Sequence, residues 1–93
     1  MKRETLKQYI DDIIIKQCGY EKTFFSSKSD NGESIIVSKD ILFDPLDAYE
    51  VLSSIEKKCS ILVNDDVLFN PDLTYGQYID VFWEEIKREH KDN

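Results

Sequence analysis

The sequence has a single histidine, two cysteines and three glycines in 93 residues, and each scarcity argues against a kind of chemistry. Cys18 and Cys59 lie in different segments without a CxxC motif, so we expect neither a zinc site nor a disulfide framework. A histidine-assisted nucleophile is not expected either, because His90 belongs to a charged C-terminal stretch. The scattered glycines do not form a phosphate-binding loop ahead of a helix. The sequence therefore predicts no enzyme, no cofactor and no metal site.

Basic residues and long apolar runs are also in short supply. Twelve Lys and Arg against 19 Asp and Glu give a net charge of −7 and a pI near 4.6, which disfavours binding to nucleic acid. The longest apolar runs, such as residues 13–15, have three residues, whereas a bilayer span needs roughly 20. The N-terminal stretch has charged residues where a signal peptide has an apolar core. We expect one cytoplasmic domain, monomeric, that binds neither nucleic acid nor a membrane.

Apolar residues at helical spacing predict an amphipathic helix over residues 3–18, which Gly19 ends. A second helix is expected to begin at Asp44, because its carboxylate suits an N-cap and Pro45 suits the first helical position. The apolar spacing carries this helix to about Cys59. These signals come from side-chain chemistry within a few residues of each helix end.

A short helical turn over residues 66–69 and a last helix that opens with a Thr74–Gln77 capping box complete the predicted set. We expect residues 1–88 to form a single all-α domain and residues 89–93, which contain His90, to form a frayed charged tail. The apolar faces, with the extended stretch 61–63, predict a core of Leu6, Ile10, Ile13, Ile14, Leu52, Ile55, Ile61, Val63, Ile79 and Phe82.

The segments between these helices carry weaker signals. The polar, turn-forming composition of residues 26–33 predicts a mobile loop, and residues 35–37 are expected to form an extended segment pinned to the core. Acidic residues come in neighbouring pairs, as at Asp11 and Asp12 or Asp65 and Asp66. Adjacent residues on a helix point about 100° apart, so we interpret these as solvated acids that do not converge on a metal or substrate.

The order and spacing of these motifs over residues 44–82 resemble acyl carrier proteins and peptidyl carrier domains. Residues 44–47, Asp-Pro-Leu-Asp, stand where the family has Asp-Ser-Leu-Asp, and residues 61–66 and 74–80 follow in the family's order. Residues 17–20 resemble the end of the family's first helix. The resemblance implies an acyl-carrier-like four-helix bundle, with three longer helices, one short helix and an extended loop between the first two.

Two departures from the family pattern bear on function. Pro45 occupies the position of the family's phosphopantetheine-bearing serine, and proline has no hydroxyl to modify, whereas it suits a helix start. Ser53 and Ser54 lie two turns farther into the helix and do not simply replace it. The loop over residues 21–43 is longer than usual in the family. Two other interpretations stay open: a helix-starting proline in an unrelated small helical protein, and a true carrier with another attachment site.

The resemblance implies a non-enzymatic interaction module that docks on biosynthetic or peptide-modifying enzymes, similar to carrier-related proteins of peptide maturation. The family meets its partners at the start of the second helix. For this chain, that surface corresponds to Asp44, Leu46, Asp47, Tyr49, Glu50, Ser53 and Glu56. The acidic residues of this set are alternatively explained by helix-dipole complementarity and solubility. Tyr49 is alternatively explained by packing beneath the long loop.

A second hypothesis from a different class is a small acidic binding protein of the immunity or inhibitor kind. Its negative surface would steer it onto a basic partner, and the size, charge and helicity of the chain suit this equally well. The two hypotheses differ in where the partner binds. The first predicts binding at the helix that Pro45 starts, and the second predicts binding at an acidic surface elsewhere.

Overall fold

Four α-helices account for most of residues 1–89, the part of the chain that the computed structural model describes. The all-α prediction is confirmed, since no strand occurs within these residues. Across the same residues, no helix has both the length and the apolar character that crossing a membrane requires. The three longer helices and the short one are α1 (Arg3–Cys18), α2 (Pro45–Cys59), α3 (Asp65–Leu68) and α4 (Tyr75–Glu89).

Local capping chemistry sets the helix ends where the sequence predicts them. Gly19 ends α1 at a φ of 72°, in the left-handed region that a residue without a Cβ adopts at little cost. Asp44 Oδ1 accepts a hydrogen bond from Asp47 N at 2.8 Å and caps α2. Before α4, Gln77 N donates to Thr74 Oγ1 at 3.2 Å, while Thr74 N donates to Gln77 Oε1 at 2.9 Å, which confirms the capping box.

Two predicted boundaries need small corrections. The short helix α3 begins one residue earlier than expected, because Asn64 acts as its N-cap and accepts a hydrogen bond from Asp66 N at 3.0 Å. The last helix continues through Glu89, so this residue belongs to α4 rather than to a frayed tail. The rest of the predicted tail, residues 90–93 with His90, lies outside the described residues.

Helix α1 packs against α2 and α4, and α3 packs against α4, around one shared core. All predicted core residues are buried except Ile13 and Val63, which are half-buried at its edge. The structure adds residues that the sequence analysis did not include. These further core residues are Phe25, Val37, Ile41, Val51, Leu73, Tyr75, Tyr78 and Ile86.

The first half of the α1–α2 connection folds against the helices instead of forming an open loop. Phe25 is buried and stacks on Tyr75 of α4, with ring centroids 4.5 Å apart and an interplanar angle of 10°. Ser29–Gly32 form a 3₁₀ turn in which Gly32 lies directly against Phe25 at a φ of 83°. Residues 26–33 therefore form defined turns next to the buried Phe25, most of them exposed, and their mobility stays a prediction.

The second half of the connection begins with the predicted extended segment, although Val37 already belongs to the helical turn that follows. Residues 35–37 run beside the chain that precedes α4, with an isolated antiparallel bridge between Ile36 and Thr74. The chain then closes a single π-helical turn, Val37–Ile41, and buries both of its end residues. Such turns are rare and often lie near functional sites.

Arg3 of α1 links the α1–α2 connection to α4. Its Nη2 donates to Glu33 Oε1 at 2.8 Å, and its Nε donates to Asp80 Oδ1 at 2.7 Å. Gly76 lies so close to Glu33 that a Cβ atom on Gly76 would come within 2.9 Å of Glu33 Oε1. The turn at Glu33 is therefore fixed against α1 and α4 by an ion-pair network and a close backbone approach.

A buried polar cluster joins α1 to α4 in the interior. Lys7 Nζ lies 2.8 Å from Asp11 Oδ2, and the Tyr75 hydroxyl donates to Asp11 Oδ1 at 2.6 Å. Burial raises the pKa of Asp11, although Lys7 and Tyr75 act in the opposite direction, and burial also raises the pKa of Tyr75. The interpretation of Asp11 as a solvated acid is wrong, whereas its neighbour Asp12 is exposed and pairs with Gln8.

Candidate functional site

Side chains from α1 and from the connection hold the start of α2 in place. Gln17 Nε2 donates to Asp47 Oδ1 at 3.0 Å, and the Tyr20 hydroxyl donates to the carbonyl oxygen of Ile41. Pro45 is exposed at the first helical position, where its missing N–H leaves no intrahelical bond unmade. The helix start is thus anchored from two sides, and position 45 has no hydroxyl that could carry a prosthetic group.

Leu46, Tyr49, Glu50 and Ser53, from the predicted partner-binding set, form one exposed face of α2. Their i, i+3, i+4, i+7 spacing places them on one side of the helix, and all of them are exposed. The side chains of Leu46 and Tyr49 are 67% and 60% exposed. The alternative that Tyr49 packs beneath the long connection is therefore wrong. This face thus combines two exposed large apolar side chains, one turn apart, with the polar Glu50 and Ser53.

The other predicted partner-binding residues have roles inside the fold. Asp44 caps α2, Asp47 accepts the hydrogen bond from α1, and Glu56 Oε2 accepts one from Val63 N at 3.0 Å. The last bond fixes the chain between α2 and α3. For Asp44 and Asp47, the alternative explanation from helix-end electrostatics is supported, although both carboxylates still contribute negative charge beside the exposed face.

Leu42 and Phe69 are exposed apolar residues near this site that the sequence analysis did not identify. Leu42 is 68% exposed and has left-handed backbone angles, φ 59° and ψ 47°, which bulky residues rarely adopt. Phe69 follows α3 directly and is 59% exposed. No sequence signal distinguishes either residue from the apolar residues of the core, because backbone conformation and exposure here depend on the packed fold.

A mainly apolar pocket of about 270 Å³ opens beside Pro45, between α2, the end of α3 and the π-helical turn. A cavity of about 150 Å³ suffices to bind benzene. Pockets for drug-sized ligands usually measure about 300 to 1,000 Å³. The pocket therefore suits one large apolar group such as a leucine or aromatic side chain. Its lining includes Val37, Pro45, Ala48, Leu52, Phe69 and Tyr78.

The chain around this pocket is acidic. Residues 40–56 contain Asp40, Asp44, Asp47, Glu50 and Glu56 without a single Lys or Arg, and residues 59–86 also lack both. Only Lys57 and Lys58, at the far end of α2, interrupt this stretch of 47 positions, residues 40 to 86. Of these acids, Asp44 lines the pocket, and Lys39 precedes the stretch next to the lining residue Ser38, so the negative charge lies on the α2 side of the pocket.

Both cysteines behave as packing residues. Cys18 and Cys59 are half-buried and pack against the core. Burial raises the pKa of Cys18, and the charges of Asp47 and Asp44 raise it further. Burial also raises the pKa of Cys59, although Lys58 acts in the opposite direction. Both thiols are therefore poor nucleophiles at neutral pH.

Comparison with protein-family models, with curated proteins and with solved structures finds no match to this chain. Within residues 1–89, no group of three or more His, Cys, Asp or Glu side chains is placed to hold a metal ion. The resemblance to carrier proteins therefore depends on the motifs in the sequence. The geometry itself contributes an anchored helix start, an exposed apolar face and an adjoining pocket.

Proposed function

We propose that this chain is a non-enzymatic, carrier-protein-like interaction module that docks on a biosynthetic or peptide-modifying enzyme. It does so through the start of α2 and carries no phosphopantetheine arm. The observation that carries the proposal is the exposed pair Leu46 and Tyr49, on a helix start whose sequence resembles that of carriers but has Pro45 at the attachment position. The helix order, with an extended connection between α1 and α2, supports an acyl-carrier-like bundle.

Docking at this face is favoured by the removal of apolar surface from water. Leu46 and Tyr49 together provide the kind of compact apolar centre that carries most of the binding energy in protein interfaces. Glu50 and Ser53 lie on the same face and offer polar contacts at its rim. We further propose that the module works as a cytoplasmic monomer, so that this face is free for the partner.

A second candidate function is an acidic protein of the immunity or inhibitor kind. The absence of Lys and Arg from residues 40–56 and 59–86 favours it, because a strongly negative surface accelerates association with a basic partner. This candidate predicts that binding depends chiefly on exposed acids outside α2, such as Asp66 and Asp72. It also predicts strong weakening by salt and little dependence on Leu46.

Introducing a charge at Leu46 should abolish docking without unfolding the protein. In co-purification from native cells, we expect the partner recovered with the unmodified chain to be lost with Leu46→Asp. Truncation of a central interface residue alone typically weakens binding by about tenfold or more, and a buried unpaired charge adds to that loss. Circular dichroism checks that the variant keeps its helices, since Leu46 makes little contact with the core.

The matched control is Thr5→Asp, which adds the same charge on an exposed position of α1. Residues at the far end of α1, such as Gln17, contact the start of α2, so Thr5 lies at the opposite end of the helix. The control should recover the partner fully. Recovery of the same partner by Leu46→Asp would contradict the proposed docking face, and loss of the partner on neutralising Asp66 and Asp72, which lie outside α2, would favour the second candidate.

A further inference from the structure

Exposed apolar residues lie in the lining of the pocket beside Pro45 and next to the lining residues in the sequence. Pro45 and Phe69 both line the pocket, and both also lie on the outside of the protein. Leu42 directly precedes Phe43, another lining residue, and Leu46 directly follows Pro45. Neither Leu42 nor Leu46 lines the pocket, so a ligand confined to it would leave both in water, whereas a partner protein is large enough to contact residues outside the pocket as well.

The backbone at Leu42 indicates that its exposed side chain has a role. Its φ of 59° is a conformation that glycine or asparagine adopts far more readily than leucine. The same conformation at Ser60, which ends α2 at a φ of 56°, holds a small polar residue. Leu42 thus combines an unfavourable backbone conformation with an unfavourable exposure. Such strain at a surface position is a reason to look for a binding function.

The charge around the pocket selects the kind of occupant. Asp44 lines the pocket on its α2 side and is the charged residue of the lining, whereas Lys39 lies outside the lining next to Ser38. A fatty acid or another anionic amphiphile would bring a second negative charge to the pocket that Asp44 lines, and like charges repel. A polypeptide with a basic residue next to an apolar anchor would instead satisfy both features at once.

We infer that the pocket beside Pro45 receives one leucine-sized or aromatic side chain of a partner protein, with Lys or Arg next to that anchor. Leu42 forms the outer contact of the same pocket. This inference rests on the proposed function and adds the chemistry of the partner segment that α2 recognises. In place of a covalent arm attached at the helix start, the partner's own side chain occupies the space between α2 and α3.

The test is selection of displayed random peptides on the full-length chain. We expect the enriched peptides to share one large apolar residue with Lys or Arg beside it. A synthetic peptide of the enriched sequence should bind about tenfold more weakly to Ala48→Phe, because the new ring fills the pocket that Ala48 lines. Sodium decanoate serves as the competing apolar anion and should not displace the peptide.

A second pair of variants keeps the test independent of the pocket-filling variant. Leu42→Gly removes the exposed side chain and relieves the left-handed conformation. It should therefore melt at the same temperature as the unmodified chain or higher, yet bind the peptide about tenfold more weakly. Ser60→Gly is the matched control, since it relieves the same conformation at the other end of α2. It should leave peptide binding unchanged.

Each other outcome counts against the inference. The inference is overturned if no peptides are enriched or if the enriched peptides lack basic residues. It is also overturned if the peptide binds Ala48→Phe and Leu42→Gly as tightly as the unmodified chain, or if decanoate displaces it. The proposed function and this inference can be tested apart from each other. If Leu46→Asp loses the native partner but Ala48→Phe retains it, docking at the exposed face of α2 is supported and insertion of a partner side chain into the pocket is contradicted.

Discussion

Replacing Ile55 by alanine should lower the free energy of unfolding by about 2 to 5 kcal/mol, measured by urea denaturation. Ile55 is fully buried on the inner face of α2, and truncation removes apolar contacts and leaves a cavity that the packed helices fill only in part. The expected loss is a large fraction of the stability of a domain of this size.

The neighbouring Ser54→Ala variant is the matched control, since Ser54 lies on the same helix but is exposed. Its effect should stay within about 0.5 kcal/mol, as is usual for surface positions. A loss near zero for Ile55→Ala, or equal losses for both variants, would show that the apolar face of α2 is assigned to the wrong side of the helix.

Replacing Asp11 by alanine should destabilise the fold by about 3 kcal/mol, the lower end of the range for breaking a buried ion pair. The substitution leaves the Lys7 ammonium in the interior without its carboxylate, and it removes the acceptor of the Tyr75 hydroxyl. Lys7 keeps a small exposed fraction, and its ammonium lies 5.6 Å from the Phe25 and Tyr75 ring centroids, which limits the loss.

Asp12→Ala provides the comparison, because it removes the same charge from the next residue of the same helix. Asp12 is exposed and pairs only with Gln8 in the described contacts, so its loss should cost less than about 0.5 kcal/mol. Thermal or urea unfolding of the two variants measures the difference. Equal effects of the two substitutions would contradict the buried cluster between α1 and α4.

The helices could be predicted from the sequence because their signals are local. Gly19, the Asp44–Pro45 pair and the Thr74–Gln77 capping box each define a helix end through chemistry within a few residues. The apolar spacing of α1, α2 and α4 likewise depends only on the helical repeat. These features do not require knowledge of what lies across the core.

Features that depend on contacts between distant parts of the chain could not be predicted in the same way. Asp11 and Asp12 look alike in the sequence, and only the position of Tyr75, 64 residues away, decides which is buried. The turns of the polar segment 26–33 lie next to Phe25, which stacks on Tyr75 of α4. Composition alone assigns such a segment to disorder, since it does not show where one aromatic residue can anchor it.

The candidate site could be predicted only in part, because some of its residues follow from the helical repeat and others depend on the packed fold. The exposed positions Leu46, Tyr49 and Glu50 follow from the helical repeat of α2 and from the resemblance to carriers. Leu42 and Phe69 lie outside that repeat, in segments whose backbone angles depend on the packed structure. The pocket beside Pro45 joins residues from three helices and a turn, and its existence is a property of the fold.

The intact mass of the chain after incubation with a broad-specificity phosphopantetheinyl transferase and coenzyme A tests the central claim most directly. The unmodified chain should keep its mass, because Pro45 offers no nucleophile. Pro45→Ser, which should fold with a loss of about 0.4 to 1 kcal/mol, should be loaded at least in part if Leu46 and Glu50 still present a carrier surface. A folded Pro45→Ser variant that stays unloaded would favour the acidic inhibitor hypothesis. A gain of the phosphopantetheine mass by the unmutated chain, at any residue, would contradict the proposal that this protein works without a prosthetic arm.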